Sequence, residues 1–230
     1  MAEAVILKKI LEELMENAKQ IRQEELEQFA DKIQEGNRIF VAGAGRSGFV
    51  ARAFSNRLMH LGLTVYFVGE PTTPSIQKGD LLMIVSGSGE TGSLKVMAEK
   101  AKKQEAMVAV ITIFPQASIG SMADAVIQVP GVTPKSELET ATTSVQPMGN
   151  AFEQTTWLIC DNIIMILMER MGRTQEEMFS LHANLEEELQ NGIIPCPDAG
   201  LMKQNCFYQL CIRAGCILFY AMRPSQARDS

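Results

Sequence analysis

The sequence predicts an α/β fold in which a five-stranded parallel sheet is covered by helices on both faces. Five short apolar runs recur between residues 38 and 129, and segments with helical spacing or turn residues separate them. Short apolar runs that alternate with helices are typical of parallel strands buried on both sides. The length of 230 residues and the 46% hydrophobic content suit a globular domain of this class.

Two amphipathic helices precede the first strand. Apolar residues recur every three or four positions from Leu7 to Ile21 and again from Leu26 to Ile33, and Gly36 follows the second helix. The five strands are predicted at residues 38–42, 64–68, 81–85, 107–113 and 125–129. Further helices are predicted at residues 49–61, 92–103, 148–171 and from 174 onward, where TQEE forms a capping box before FSLHANLE.

The charge pattern argues against a nucleic-acid-binding protein. The net charge is −6 and basic residues form no run, whereas binding to a phosphate backbone depends on clustered Lys and Arg. A small anion in a local pocket remains compatible with this charge. The chain shows neither the pattern of a signal peptide nor an apolar stretch of about 20 residues, so we expect a cytoplasmic protein.

The cysteines give no indication of a metal site. Four of the five lie between residues 196 and 216, at intervals that match no paired zinc-binding motif, and no histidine lies near them. We therefore expect no metal cofactor.

Two glycine-rich loops follow predicted strands and precede predicted helices. They are the GAGRSG loop (residues 43–48) and the SGSGET loop (residues 86–91). Because the carboxyl ends of parallel strands border one crevice, we expect both loops to face the same ligand. Glycine lets backbone N–H groups approach an anion, and hydroxyls and a helix N-terminus add further donors. The predicted binding residues are Gly45, Arg46, Ser47, Ser86, Gly87, Ser88, Glu90 and Thr91.

The roles of some loop residues stay open at this point. Ordinary turns between strands and helices also use Gly and Ser, although two such loops on one sheet favour an anion site. Arg46 is suited either to a phosphate or to negative charge that develops during a reaction. Glu90 is suited either to a sugar hydroxyl or to holding the SGSGET loop in shape.

The GAGRSG loop also matches the G-x-G-x-x-G pattern of dinucleotide-binding folds, and Glu70 follows the second strand near the position of a ribose ligand. This alternative, an NAD-dependent dehydrogenase, is the weaker one. Two helices precede the first strand, whereas the fingerprint usually opens its domain. Arg46 and Ser47 suit a terminal phosphate, and the SGSGET loop adds a second anion-binding candidate on the same sheet.

Four motifs together resemble the 6-phospho-3-hexuloisomerases, which are sugar-isomerase (SIS) domain enzymes. They are GAGRSG, SGSGET, QPMGN with the following FEQ, and FSLHANLE. The resemblance covers residues 1–186 and implies a three-layer αβα sandwich of flavodoxin-like or Rossmann-like type, a homotetramer and no cofactor. It also implies interconversion of 3-hexulose 6-phosphate and fructose 6-phosphate in the ribulose monophosphate pathway of formaldehyde assimilation. Residues 187–230 depart from this pattern, and we expect a peripheral tail there.

Moving a carbonyl group between C3 and C2 requires a base, an acid for the carbonyl oxygen and a fixed phosphate. Glu153 stands on the first turn of a mostly apolar helix, where partial burial would make it a stronger base, although an acidic residue there also suits the helix dipole. The resemblance implies that Glu153 is the catalytic base. It also implies that His182, which flanks an apolar stripe on the last helix, approaches the active site of a neighbouring subunit. We interpret His60 as a cation that caps a helix C-terminus.

A second functional class is a regulator that binds a sugar phosphate through a SIS domain without converting it. Such regulators usually carry a basic helix-turn-helix segment, and no segment of this sequence has that character. The pair Glu153 and His182 favours an enzyme.

Overall fold

The computed structural model describes residues 4–134 and 143–185. The chain divides into two units, Met1–His182 and Ala183–Ser230, and the fold described here belongs to the first. Its helices are α1 (Val5–Ala18), α2 (Gln23–Glu35), α3 (Gly45–His60), α4 (Gly92–Lys103), α5 (Ser118–Met122), α6 (Asn150–Met171) and α7 (Gln175–Ser180). Its strands are β1 (Ile39–Gly43), β2 (Val65–Phe67), β3 (Leu81–Val85), β4 (Met107–Thr112) and β5 (Ala125–Gln128). The predicted tail, residues 187–230, lies outside the described residues.

The five strands form one sheet in the order β2-β1-β3-β4-β5. Every neighbouring pair is parallel, which confirms the predicted sheet, and β1 runs beside β3 from Ile39 opposite Leu81 to Gly43 opposite Val85. All residues of β3 are buried, as is expected of a central strand covered on both faces. The order of the strands reverses between β1 and β3, so a crevice opens at their carboxyl ends.

Helices cover both faces of the sheet and form two cores. On one face α2, α3 and α6 pack with Phe29, Phe54 and Ile163 buried. On the other face α4 and α5 contribute Leu94 and Ile119. Full burial of an apolar side chain of this size contributes about 1.5–3 kcal/mol, so these contacts are the main force that holds the layers together. The arrangement is the expected αβα sandwich.

Helix α3 begins inside the GAGRSG loop, at Gly45, whereas the sequence predicts a turn up to Gly48. The cause is close packing between the helix and β1. A Cβ atom on Gly48 would lie 2.8 Å from the carbonyl oxygen of Gly43, and one on Gly43 would lie 2.8 Å from the Cα atom of Gly48. Gly45 has a φ of 59°, a left-handed conformation that favours glycine where the strand turns into the helix.

Three other elements differ from the prediction. Helix α7 has the predicted capping box between Thr174 and Glu177 but ends at Ser180, so His182 lies in a bend after the helix and not on it. Helix α5 has five residues and is absent from the predicted elements, because so short a helix shows no periodicity. Strand β2 has three residues where the apolar run predicts five.

Helix α6 is the longest helix described here, with 22 residues. Even so, among the residues that the structure describes, no helix combines the length and the apolar character needed to cross a membrane.

Candidate active site

A cavity of about 310 Å³ lies at the carboxyl ends of β1 and β3, where the GAGRSG and SGSGET loops meet the start of α6. Eight of the ten predicted site residues line it: Gly45, Arg46, Ser47, Ser86, Gly87, Ser88, Thr91 and Glu153. The expectation that both loops face one crevice is therefore confirmed. Glu90 and His182 are not among the residues that line the cavity.

Three helices begin at this cavity. Helices α3, α4 and α6 follow Ala44, Thr91 and Gly149, all of which line it. None of these three residues caps its helix through a side-chain hydrogen bond. The first N–H groups of a helix have no partners within the helix and carry the positive end of its dipole. The cavity is therefore suited to an anion such as a phosphate.

Two buried serine hydroxyls face the same cavity. Ser86 is 4% exposed and Ser88 is 5% exposed. The Ser86 Oγ atom accepts a hydrogen bond from the Gly89 N–H at 3.2 Å, and the Ser88 Oγ atom accepts one from the Glu90 N–H at 3.3 Å. A hydroxyl that accepts a hydrogen bond still has its own O–H to donate. These contacts orient both serines while leaving a donor on each for a ligand.

Glu153 is held by residues of the GAGRSG loop. Its Oε2 atom lies 3.1 Å from the Arg46 Nε atom, and its Oε1 atom accepts a hydrogen bond from the Ser47 hydroxyl at 3.4 Å. The Glu153 side chain is 14% exposed, whereas that of Arg46 is 53% exposed. Arg46 also donates from Nη1 to the Asn150 side-chain oxygen on the first turn of α6. A carboxylate, a cation and a hydroxyl thus converge at one wall of the cavity.

Sequence reasoning missed Asn150 and Phe152, although both belong to quoted motifs. Asn150 lines the cavity and binds Arg46, a contact between residues far apart in sequence that no local pattern reveals. Phe152 lies against the SGSGET loop: a Cβ atom on Gly87 would lie 3.3 Å from its ring. A Cβ atom added at a second glycine, Gly131, would lie 3.1 Å from the Phe152 Cβ. Phe152 therefore forms an apolar wall of the cavity. It can lie so close to the backbone at Gly87 and Gly131 because neither residue has a Cβ atom.

Glu90 faces away from the cavity, towards α5. Its Oε1 atom accepts a hydrogen bond from the Ser118 N–H at 2.6 Å, and its Oε2 atom accepts one from the Ser118 hydroxyl at 2.8 Å. These two hydrogen bonds, the backbone one foremost, lower the pKa of Glu90 below its ordinary value, and Lys95 at 4.0 Å adds to the effect. Of the two roles left open by the sequence, this geometry favours the one that holds the loop in shape.

His182 stacks on His60 within this chain. The centres of the two rings are 5.3 Å apart, and the Phe179 ring also stacks on His182, at 6.0 Å. His60 is buried, and its Nδ1 atom lies 3.3 Å from Arg57 Nη1. Burial, with contributions from the charges of Arg57 and His182, lowers the pKa of His60. The interpretation of His60 as a capping cation is therefore wrong, because this environment favours the neutral ring.

Glu70, the residue that favours the dinucleotide alternative, is engaged elsewhere. It forms an ion pair with Arg52, whose guanidinium lies 3.9 Å from the centre of the Phe67 ring. Glu70 does not line the cavity. The GAGRSG loop therefore matches the pattern of a dinucleotide fold without the acidic partner that such a fold places at the ribose.

Within residues 4–134 and 143–185, no group of three or more His, Cys, Asp and Glu side chains is arranged to hold a metal ion.

Comparison with known proteins places these features in a family. The family model described as the SIS domain matches residues 32–156 of this chain. A Bacillus subtilis (strain 168) protein named 3-hexulose-6-phosphate isomerase is 49% identical over 177 residues, which cover 77% of this chain and 95% of that protein. The Mycobacterium gastri protein of the same name is 38% identical, over 77% of this chain and 88% of the relative.

A solved structure supports the same assignment. The crystal structure of a Methanococcus jannaschii protein, described as inferring a molecular function of 3-hexulose-6-phosphate isomerase, matches with a TM-score of 0.66 and 34% identity. The match covers 78% of this chain and 98% of that protein. Fold, site and sequence agree: the chain belongs to the SIS-domain family and, within it, to the 3-hexulose-6-phosphate isomerases, also called 6-phospho-3-hexuloisomerases.

Proposed function

We propose that this protein interconverts 3-hexulose 6-phosphate and fructose 6-phosphate, the isomerisation that belongs to the ribulose monophosphate pathway. The observation that carries the proposal is the cavity itself, which combines an anion cradle with a largely buried carboxylate. Its volume of about 310 Å³ is of the size expected for a small-molecule site. We further infer a cytoplasmic location, because a charged sugar phosphate is formed and consumed inside the cell.

The SGSGET loop is proposed to bind the phosphate group. Ser86, Ser88 and Thr91 supply hydroxyl donors, and the N-terminus of α4 supplies backbone N–H groups. A hydrogen bond to a charged group contributes about 1.5–3 kcal/mol, so three or four of them hold a phosphate dianion without a lysine. A fixed phosphate then sets the position of the carbon chain relative to Glu153.

Glu153 is proposed to move the proton. It removes the proton from C2 of 3-hexulose 6-phosphate, and the electron pair of the broken C–H bond forms the C2–C3 double bond of a cis-enediolate. The C3 carbonyl oxygen takes up the negative charge of this intermediate. The same carboxyl group then returns its proton to C3, while the proton of the C2 hydroxyl passes to the oxygen on C3, so that C2 becomes the carbonyl carbon of fructose 6-phosphate. Ser47 and Arg46 orient the carboxylate. Arg46, which is half exposed at the cavity, also lies where it can stabilise the negative oxygen of the enediolate.

The active enzyme is proposed to be a homotetramer with shared active sites. Large apolar side chains are exposed on α3, α6 and α7: Phe49 (71%), Trp157 (46%), Met165 (68%) and Phe179 (67%). Phe49 and Trp157 also line a groove of about 470 Å³ between α3 and α6. Clustered exposed apolar surface of this kind marks a contact with another chain. In such an assembly His182 is proposed to reach a neighbouring cavity and to act there on the substrate oxygens.

The experiment is an assay in which 3-hexulose 6-phosphate is supplied and fructose 6-phosphate is detected by a coupled enzymatic reaction. We expect turnover with the phosphorylated substrate and none with the unphosphorylated hexulose. Thermal stability is measured in parallel, because binding to the native state adds about 2.7 kcal/mol at a ligand concentration 100 times its Kd. Stabilisation by sugar phosphate without turnover would instead identify a regulator, and equal stabilisation by both sugars would contradict the phosphate cradle.

A further inference from the structure

Residues from Thr112 to Ile119, which run from the end of β4 into α5, hold the SGSGET loop in place. The shortest of these contacts join Glu90 to Ser118: both carboxylate oxygens accept hydrogen bonds, at 2.6 Å from the Ser118 N–H and at 2.8 Å from its hydroxyl. Glu90 lies in the loop next to Thr91, which precedes α4. The carboxylate thus fixes the point at which the loop turns into the helix.

Backbone hydrogen bonds extend this attachment along the loop. The Ile119 N–H donates to the Gly89 carbonyl at 3.1 Å, and the Ile113 N–H donates to the Gly87 carbonyl at 3.1 Å. The Thr112 hydroxyl also donates to the Gly87 carbonyl, at 3.3 Å. Gly89 has a φ of 66°, and a Cβ atom there would lie 2.7 Å from the Ala117 Cβ, so the two segments are in close contact.

The attachment is coupled to the proposed phosphate donors. The Glu90 N–H donates to the Ser88 Oγ atom at 3.3 Å, and the Gly89 N–H donates to the Ser86 Oγ atom at 3.2 Å. Ser86 and Ser88 line the cavity, whereas Glu90 and Ser118 do not. A displacement of Glu90 therefore moves the hydrogen-bond partner that orients the Ser88 hydroxyl, without any change at Glu153.

We propose that Glu90 and Ser118 are positioning residues that hold the SGSGET loop in its phosphate-binding shape and make no contact with the sugar. The inference rests on the proposed function, since it assigns the pair to the phosphate end of the same site. Loss of the pair weakens phosphate binding and leaves the chemical step at Glu153 intact. The affinity for any phosphate compound falls, and kcat does not.

Four variants of the full-length protein test this inference. Glu90→Ala removes both hydrogen bonds, whereas Ser118→Ala removes only the hydroxyl contact and keeps the backbone N–H. Ser118→Thr retains a hydroxyl. Ser121→Ala is the matched control, because Ser121 lies on the same short helix and its hydroxyl donates to the Gln116 carbonyl, away from the loop. The measurements are KM and kcat for fructose 6-phosphate and the Kd of inorganic phosphate.

We expect a graded effect on binding. Glu90→Ala raises KM and the Kd of inorganic phosphate by about tenfold, Ser118→Ala raises both by about threefold, and kcat changes less than about twofold. Ser118→Thr and Ser121→Ala stay close to the parent protein. The double variant Glu90→Ala with Ser118→Ala behaves as Glu90→Ala alone, because the two residues act through one contact.

Two results would overturn the inference. In the first, Glu90→Ala raises KM for the sugar phosphate but not the Kd of inorganic phosphate, and Ser118→Ala has the same KM and Kd as the parent protein. This result would mean that Glu90 contacts the sugar directly. If Ser118→Ala behaves as Ser121→Ala in every measurement, the pair has no positioning role. Should Glu90→Ala fail to fold, the series at Ser118 decides the question alone. Absence of turnover in the parent protein would count against the proposed function, whereas the phosphate Kd series still tests the loop.

Discussion

The Arg46 Nε atom lies 3.1 Å from the Glu153 Oε2 atom, so the first turns of α3 and α6 are joined at one wall of the cavity. The partner carboxylate is largely buried, and the Ser47 hydroxyl occupies its other oxygen. Contacts to both oxygens restrict the rotation of the carboxylate, and a general base must be held within reach of the proton that it removes. The contacts with Arg46 and Ser47 therefore orient the proposed base.

Glu153→Gln is expected to fold, to bind sugar phosphate and to lose about 10²–10⁴-fold in kcat, because the amide keeps the shape of the side chain and removes its basicity. Steady-state kinetics with fructose 6-phosphate and thermal shifts with the same ligand measure the two properties separately. Glu169→Gln is the control, since Glu169 is exposed on the same helix. A rate within a few-fold of the parent would mean that another group takes the proton.

Arg46→Lys is expected to lower kcat by about 10–100-fold, because a lysine keeps the charge but cannot bind Glu153 and Asn150 together as the guanidinium does. Arg52→Lys is the matched control. Arg52 lies on the same helix and also pairs with a glutamate, Glu70, but outside the cavity. If both variants lose the same amount of kcat in the same assay, the loss comes from a disturbance of helix α3 and not from the contacts of Arg46.

The sequence predicted the sheet and both loops because these depend on local patterns. Apolar runs, turn glycines and the capping box at Thr174 are read within a few residues, and the structure places them close to where they were expected. The partnership of Arg46 with Asn150 and the orientation of Glu90 depend instead on which elements the fold brings together. No spacing in the chain indicates that Glu90 faces Ser118 rather than the cavity.

The start of α3 is a backbone feature that local sequence patterns also fail to predict. Glycines in GAGRSG predict a turn, yet two of them serve the close approach of the helix to β1. Gly48→Ala is expected to destabilise the protein by about 1–3 kcal/mol, because the new Cβ would lie 2.8 Å from the Gly43 carbonyl oxygen. Gly92→Ala, at the first position of α4, meets open space and is expected to be neutral or to stabilise by about 0.4–1 kcal/mol. Urea unfolding distinguishes the two, and equal stability of both variants would contradict the packing argument.

His60 is expected to make the stability of the protein depend on pH. Burial lowers the pKa of His60 below its ordinary value of 6.5, so at pH values just under 6.5 the unfolded chain binds a proton that the folded chain does not. The free energy of unfolding is therefore highest above pH 6.5 and falls as the pH is lowered towards the folded pKa, with a slope of at most about 1.4 kcal/mol per pH unit from this group. His60→Phe keeps a buried ring without a titrating group. Denaturant unfolding from pH 7.5 to 5 should show a shallower decline in the variant, and an identical decline would assign the pH dependence to other groups.

The proposed sharing of active sites predicts complementation between two inactive variants. His182 lies after α7, next to the exposed side chains of Phe179 and Leu181, and it does not line the cavity of its own chain. If it completes the cavity of a neighbour, Glu153→Gln and His182→Ala subunits that are mixed, dissociated and reassembled regain part of the activity, because some cavities receive both wild-type residues. For one base and one histidine per site, random mixing of equal amounts restores the wild-type pair in about a quarter of the sites.

Native mass spectrometry confirms that mixed oligomers have formed, and each variant reassembled alone is the control. Mixed oligomers with no more activity than the controls would show that both residues act from one chain or that His182 takes no part in the reaction.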